Sequence, residues 1–457
     1  RDSVKLTPRD YQTRGANFII DTPRCNVWAD MGLGKSVMVL TALDLLWLCG
    51  SRMHPALVLG PKRVARDVWR PEAEKWDQFE KMVVSPIVGT ADQRRSALKC
   101  KADVYTCNYD NVPWLVDKLG SDWPFKYVIA DESTRLKGHR LKGGGKRAAA
   151  LAQVASTTGR WTNLTGTPAP NGLIDLWGQN WFLDHGDRLG RTFTDFSERW
   201  FKTNPYSREV TPFAHTEREI IDKLSDITLS LKASDYFDLP ELIVNTVTVE
   251  LPYAARRLYD QMEEELGIEV GGTEIEALTA ASKSIKCMQI ASGAIKTGVG
   301  NEWELIHDAK IEALRSIIHE QAGAPLIVVY HFKSDLARIV KAFKARTMDT
   351  ARDLKDWNAG KIQLLAVHAK SAGHGLNMQD GGNAMAFFTH WWDLEEYQQV
   401  IERIGPVRQL QSGYDRPVIL HNIVARGTVD EDAVERRITK MGVQDSLRAG
   451  IARRQRQ

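Results

Sequence analysis

The stretch ADMGLGKS, Ala29 to Ser36, constrains the fold of this chain more than any other. Its composition suits a cradle for polyphosphate. Met31, Gly32, Leu33 and Gly34 present backbone N–H groups to an anion, with the two glycines freeing the turn; Lys35 reaches the β- and γ-phosphates, and Ser36 places a hydroxyl on Mg²⁺. Cys25 to Trp28 reads as a short buried strand, and Val37 to Leu48 is apolar almost all round, as a helix sandwiched against a sheet should be. The helix N-terminus then points at the phosphates. Ala29 stands where the pattern GxxxxGK[ST] has its first glycine, which tells against a kinase or a GTPase.

At 457 residues the chain is too long for one ordinary core and suits two or three domains. Hydrophobic content of 43% and charged content of 26% are those of a soluble globular protein. No run has the length and apolarity of a membrane span, and the first residues, RDSVKLTPRD, carry no apolar signal core, so the expectation is a cytoplasmic protein with no membrane partner. Lys and Arg number 61 against 58 Asp and Glu, a net charge of +3, so any nucleic-acid surface must be local. The five cysteines, Cys25, Cys49, Cys100, Cys107 and Cys287, include no CxxC pair, which argues against a disulfide framework and against a zinc site.

Upstream of the loop, Gln12 opens a segment that turns apolar toward Ile20. Its amide offers adenine a paired donor and acceptor, or else lies on a helix surface. Ala56 to Leu59 reads as a second strand that delivers Lys62 and Arg63 to the edge where parallel sheets bind ligands, ahead of a helix over Val64 to Trp76. Asp103 to Asn108 is a third strand. Phe125 to Ala130 is a fourth, ending in Asp131-Glu132-Ser133-Thr134. Such a carboxylate pair suits Mg²⁺-dependent nucleotide hydrolysis, Asp131 holding the metal through its water shell and Glu132 polarising the attacking water. Alone, an Asp-Glu pair is more often a solvated turn; Lys35 and Ser36 upstream on a βα alternation reverse that preference.

Arg135 to Arg147 is Gly-rich and crowded with cations, either a solvated loop or a nucleic-acid contact. The strand Trp161 to Leu164 feeds Thr165-Gly166-Thr167-Pro168, whose hydroxyls are placed to sense a phosphate. Leu173 to Asp222 carries helical patterns with Trp177, Trp181, Phe182, Phe193, Phe196, Trp200 and Phe201 spaced as a core. Periodicity is lost over Asp226 to Pro240, and a boundary falls near Leu242. Beyond it strands are expected at Leu326 to Tyr330, Ile362 to Val367 and Ala384 to Thr389, with a helix at Ser334 to Phe343. This half has no phosphate loop of its own. Ser371 to Gln379 is a Gly-punctuated turn, and Gln399, Arg403 and Arg408 form a tight set, either an arginine-finger group or a salt-bridged helix. Arg453 to Arg456 reads as a disordered tail.

In this order the segments resemble the Swi/Snf-type branch of superfamily two helicases, in a compact form like those carried by bacteria and phages. Gln12 and its neighbours look like the Q motif, Ala29 to Ser36 motif I, Pro61-Lys62-Arg63 motif Ia, DEST motif II, LTGTP motif III, SAGHGLN motif V, and Gln399 to Gln409 motif VI. The run from Leu173 to Phe201 looks like the segment this family places after motif III, and Arg426 to Lys440 is similar to its closing signature. The resemblance covers nearly the whole chain. It implies an α/β protein of two RecA-like lobes, each a mostly parallel sheet flanked by helices, with helical insertions. The first lobe is placed at 1–228, with an insertion near 173–222, a linker at 229–245, and the second lobe at 246–457.

The resemblance further implies ATP and Mg²⁺ in the cleft, double-stranded DNA as partner, and translocation usually without strand separation, in DNA replication, recombination or repair within a bacterial or phage-infected cell. Catalytic roles carry over to Lys35, Asp131, Glu132, Gln399, Arg403 and Arg408. Nucleotide contacts carry over to Gln12, Met31, Gly32, Leu33, Gly34, Lys35, Ser36 and Gly375, metal contacts to Ser36 and Asp131. DNA contacts are expected at Lys62, Arg63, Arg135, Lys137, Thr165 and Ser371. Motif II reads DEST where DEAH or DESH is usual, with the carboxylates intact. In motif VI Pro406 occupies the place of the usual second arginine; Pro406 is expected to interrupt the helix, and a loop after it to return Arg408 from a position displaced by two. A strand-separating DNA or RNA helicase, and an ATP-dependent DNA-binding switch with little turnover, remain as alternatives.

Overall fold

The computed structural model describes residues 4–51, 53–206, 209–271, 273–277, 279–298, 302–372 and 376–455. They divide into two compact units, one running to Phe237 and resuming at Lys440, the other formed by Asp238–Thr439.

In the first unit the chain forms β1 (Arg24–Ala29), β2 (Ala56–Gly60), β3 (Val84–Ile87), β4 (Val104–Asn108), β5 (Tyr127–Asp131) and β6 (Arg160–Thr165), then a hairpin of β7 (Phe201–Thr203) and β8 (Val210–Pro212), then β9 (Thr228–Leu231). All but the hairpin join one parallel sheet in the order β3-β4-β2-β5-β6-β1-β9. Every residue of β2, β4, β5 and β6 is buried, as expected of strands covered on both faces. The segments that follow β2, β5, β6 and β1 therefore leave four adjacent strands at one edge, the carboxyl edge where such sheets bind ligands.

β3 and β9 were not anticipated. β3 is four residues long and contains Pro86; β9 falls where the linker was placed, yet Leu229 and Leu231 are buried. The helix expected over Val64 to Trp76 is two, Lys62–Asp67 and Trp69–Lys75, parted at Val68. The insertion holds the helices Leu176–Asp184, Phe193–Trp200 and Thr216–Leu224 as well as the unanticipated hairpin. Trp177, Trp181, Phe182, Phe196 and Trp200 form one core with Trp28 and Trp161 of the sheet. Burying a large aromatic removes 150–250 Å² from water, roughly 4–6 kcal/mol each by area, so this cluster anchors the insertion to the sheet.

The second unit contains β10 (Leu242–Val249), the hairpins β11 (Gly267–Val270) with β12 (Thr273–Glu276) and β13 (Ala294–Lys296) with β14 (Trp303–Leu305), then β15 (Leu326–Tyr330), β16 (Arg346–Thr347), β17 (Leu364–His368), β18 (Ala384–Phe387) and β19 (Val418–Ala425). Its sheet is parallel, ordered β10-β19-β18-β15-β17-β16. β10 begins at Leu242, inside the span read as linker. Lys310 and Asp430, both fully buried, pair at 2.6 Å; the Lys310 ammonium also donates to Phe388 O at 3.0 Å, and the Asp430 carboxylate accepts from Ala425 N at 3.0 Å.

The last helix, Val429–Gln455, corrects two expectations. Arg453 to Gln455 is helical rather than a disordered tail: Arg454 pairs with Asp222 and Gln455 donates to Thr228 O. Residues from Lys440 on belong to the first unit, not to a lobe spanning 246–457, because Leu447 and Ile451 are fully buried in the first unit's core with Ile220, Ile221 and Leu224. No helix among the described residues is long and apolar enough to cross a membrane.

Candidate active site

β1 ends at Ala29 and the chain turns through Gly32 (φ 83°) and Gly34 (φ 77°) into the helix Lys35–Leu48. Both glycines adopt left-handed backbone that other residues resist. At Gly34 a Cβ would also lie 2.5 Å from Gln12 Nε2, so a side chain there would displace the Gln12 amide from its present place against the loop. Gln12 Nε2 donates to Leu33 O at 3.3 Å, and its Oε1 accepts from Arg9 N at 3.0 Å. The amide expected to read adenine thus braces the phosphate loop and the start of its own helix. Lys35 Nζ donates to Ala29 O at 2.8 Å and Asp30 O at 3.4 Å, and Ser36 follows it in the first turn.

Asp30 is held from two directions. One carboxylate oxygen accepts from Ala233 N at 2.7 Å, and the other pairs with Arg448 on the last helix. Arg448 is buried and also donates to Leu231 O at 2.7 Å and, at 3.5 Å, to Gly166 O. Sequence reading missed Arg448: its partner lies 418 positions away and nothing local marks it.

β5 carries Asp131 to the same edge, with β6 between it and β1. Asp131 is buried; Trp69 Nε1 donates to its Oδ2 at 3.1 Å, and Tyr109 Oη donates to its backbone carbonyl at 2.9 Å. Burial raises the Asp131 carboxyl above its ordinary value; the Lys35 charge opposes this most, followed by the Trp69 bond and a backbone bond from Glu132. Glu132 adopts left-handed backbone (φ 55°, ψ 58°), a conformation costing about 1–3 kcal/mol for a residue with a side chain. The left-handed residue ends β5 and turns the chain into the short helical segment Ser133–Leu136.

The residues fit a Mg²⁺ that arrives with phosphate. One buried carboxylate at Asp131 and the Ser36 hydroxyl are oxygen donors of the type this ion uses beside retained waters. Among the described residues no group of three or more His, Cys, Asp or Glu side chains is placed to hold a metal alone.

The expected DNA contacts divide. Lys62, Arg63 and Arg135 are exposed, the first two opening the helix Lys62–Asp67. Lys137 is half-buried and lies 3.8 Å from Asp175. Thr165 is fully buried with its hydroxyl accepting from Thr167 N at 3.0 Å, which removes it from the surface and corrects its assignment as a DNA contact. Within the basic segment, Arg140 stacks 3.3 Å from the Phe193 ring centroid and Arg147 pairs with Asp110, so part of that charge is structural.

In the second unit, Ser371 donates to His368 O at 2.9 Å. Gly375 lies outside the described residues. Gln399 and Arg403 are buried; Arg403 Nε donates to Gln399 O at 2.9 Å and Nη1 to Leu376 O at 3.3 Å. Arg408 Nη1 donates to Asn377 Oδ1 at 2.6 Å, so both arginines converge on Leu376 and Asn377. Pro406 does not break a helix. The helix Leu394–Ile401 has already ended, and Pro406 opens the next, Pro406–Gln411, within which Arg408 is helical rather than on a loop. Proline suits that first position, where its missing N–H is not needed.

A phosphate loop and a carboxylate pair on strands flanking β6, at the ligand edge of a parallel sheet, define a P-loop nucleotide-binding protein with a second α/β unit. The chain belongs to the SNF2 family: residues 11–296 match the SNF2-related domain. It is 54% identical over 459 residues to the putative protein p41 of Acyrthosiphon pisum secondary endosymbiont phage 1, covering 98% of this chain and 99% of that one. It is 24% identical to nuclear protein STH1/NPS1 of Saccharomyces cerevisiae, over 96% of this chain and 34% of that protein. Against the uncharacterized ATP-dependent helicase MG018 of Mycoplasma genitalium the identity is 22%, over 93% and 40%. The chain thus spans well under half the length of these last two relatives. A Sulfolobus solfataricus SWI2/SNF2 ATPase core solved in complex with dsDNA matches 98% of this chain and 94% of that one at 19% identity, with a TM-score of 0.44. The two parallel sheets, each flanked by helices, agree with the two α/β lobes that the sequence resemblance implied.

Proposed function

We propose that this chain hydrolyses Mg-ATP in response to double-stranded DNA and uses the cycle to translocate on the duplex. The observation that carries the reading is the convergence of the Lys35 loop and the Asp131-Glu132 pair at one edge of the first sheet, on strands separated only by β6. Met31 to Gly34 offer backbone N–H groups to phosphate oxygens, Lys35 neutralises the β- and γ-phosphates, and Ser36 and Asp131 hold Mg²⁺, which supplies charge neutralisation when bound. Glu132 orients the water and accepts its proton. Gln399, Arg403 and Arg408 are proposed to act on the transferred phosphoryl group, where arginine charge is most effective. The exposed cations Lys62, Arg63 and Arg135 support a phosphate-backbone contact independent of base sequence.

The test is the ATPase rate without nucleic acid and with single strands, RNA or duplex DNA, with Lys35→Ala as control. Duplex is expected to stimulate most, and Lys35→Ala to be inactive while melting cooperatively. Greater stimulation by single strands would favour strand separation. Tight ATP-dependent DNA binding with negligible turnover would favour a binding switch, and a Lys35→Ala variant at the wild-type rate would remove the loop from the mechanism.

A further inference from the structure

We infer that Gln179 is a positioning residue that locks the turn after the catalytic carboxylates to the segment after β6, and that this link couples hydrolysis to duplex DNA. The inference rests on the functional reading above. Gln179 is fully buried on the helix Leu176–Asp184, in a stretch otherwise dominated by Trp177, Trp181 and Phe182. Its side-chain oxygen accepts from Ser133 Oγ at 2.9 Å, one residue beyond Glu132. Its nitrogen donates to Pro168 O at 2.6 Å and to Asp175 O at 3.2 Å. One amide thus uses both of its ends on the two segments that leave β5 and β6 at the ligand edge.

Three further observations make this more than satisfaction of buried polar groups. Gly178 is pressed so closely on the turn that a Cβ there would lie 2.5 Å from Lys137 O and 2.7 Å from Leu136 O, so the helix packs backbone to backbone on the turn. Asp175, on the same helical segment, accepts from Asn171 N at 2.8 Å and lies 3.8 Å from Lys137, whose neighbour Arg135 is exposed. The helix therefore contacts the carboxylate turn at one residue and the basic segment at another. Finally, Glu132 holds a left-handed backbone immediately before Ser133, a conformation that persists only where neighbours fix it. A buried amide among aromatics carries a desolvation cost that an aliphatic side chain of similar volume would avoid. Its bridging role accounts for that cost.

The test uses the full chain with Gln179→Leu, Ser133→Ala and the double variant, measuring unstimulated and duplex-stimulated kcat, KM for ATP and thermal melting. Ser133→Ala removes a single hydroxyl and provides a folded variant even if Gln179→Leu melts early. Each single variant is expected to lower the ratio of stimulated to unstimulated kcat tenfold or more, with KM for ATP within threefold of wild type. The double variant is expected to be no worse than Gln179→Leu, since both remove the same link. A purely structural amide would lower the melting temperature and reduce both rates together, leaving the ratio unchanged, and that result overturns the coupling. So do additive losses in the double variant. If the wild type itself shows no duplex stimulation, the functional reading fails and the coupling with it; a responsive wild type with responsive variants removes the coupling alone.

Discussion

Replacing Trp69 by Phe removes the indole N–H that donates to Asp131 Oδ2 at 3.1 Å while leaving an aromatic ring in a fully buried site. The bond favours the ionised carboxylate, against burial, which favours the protonated form and is the largest influence on this group. A hydrogen bond to a charged group contributes about 1.5–3 kcal/mol, and about 1.4 kcal/mol is a factor of ten, so the ratio of protonated to ionised Asp131 should rise roughly ten- to a hundredfold at any given pH. The sign follows directly. Losing a donor to the ionised form raises the carboxyl's pKa further, and the ionised form is the one that engages Mg²⁺. The acid limb of kcat/KM for Mg-ATP should therefore move to higher pH while the alkaline side stays in place. Measured at subsaturating Mg-ATP, this profile reports the free enzyme. The smaller ring also leaves a packing defect, which lowers stability but scales kcat/KM equally across the pH range in which the variant remains folded. An unmoved acid limb, with only the melting temperature lowered, would refute the assignment of Trp69 as a group that, beside Lys35, favours the ionised form of Asp131.

Glu132→Gln preserves shape but removes the charge that orients water, so Mg-ATP binding by calorimetry should persist while hydrolysis is lost; loss of binding instead makes Glu132 structural. Arg403→Ala and Arg408→Ala should each reduce duplex-stimulated turnover by roughly 10³ to 10⁵ with ATP still bound, the cost of losing a true finger. An active Arg408→Ala beside a dead Arg403→Ala would leave one arginine in the mechanism and return Arg408 to its bond with Asn377. Lys310→Met strips the partner from fully buried Asp430 and should destabilise the second unit by about 3–5 kcal/mol in denaturant melts. Arg448→Ala should cost about 1.5–3 kcal/mol and raise KM for ATP, because the residue it holds, Asp30, is part of the phosphate loop; an unchanged KM would make Arg448 structural only.

The parts of this protein that could be read from its sequence are those encoded within a few residues. Buried parallel strands are short apolar runs, and β1, β2, β5 and β6 each hand over to a segment of distinctive chemistry, so strand and motif identified one another. The aromatic spacing after Leu173 likewise gave a core that the structure assembles around Trp177 and Trp200. β3 and β9 were missed because each has only four residues and neither ends in a functional segment. Thr165 was misread as a surface group because a hydroxyl's direction depends on the local turn, here closed by Thr167 N. Trp69 was legible as a helix residue but not as the donor to Asp131, a pairing set by packing across 62 positions. Gln179 did leave a signal, since two adjacent amides among tryptophans on an apolar helix demand buried partners, but the sequence does not say which.

The same distinction explains why the expected second lobe, 246–457, was drawn too long. A boundary read from composition assumes that each lobe is one continuous stretch, whereas the helix Val429–Gln455 begins in the second unit and ends in the first. Leu447 and Ile451 are fully buried with Ile220, Ile221 and Leu224, and burying an aliphatic side chain contributes about 1.5–3 kcal/mol. A fragment ending at Phe237 would lose those two contributions and expose their partners. It would also leave Asp30 without its cation and Leu231 O with the Asp30 N–H but without the Arg448 guanidinium, at the root of the loop expected to bind phosphate. The first unit's nucleotide edge therefore depends on residues that the chain supplies only after the second unit has been traversed, and no local feature near Ala29 to Ser36 announces that dependence.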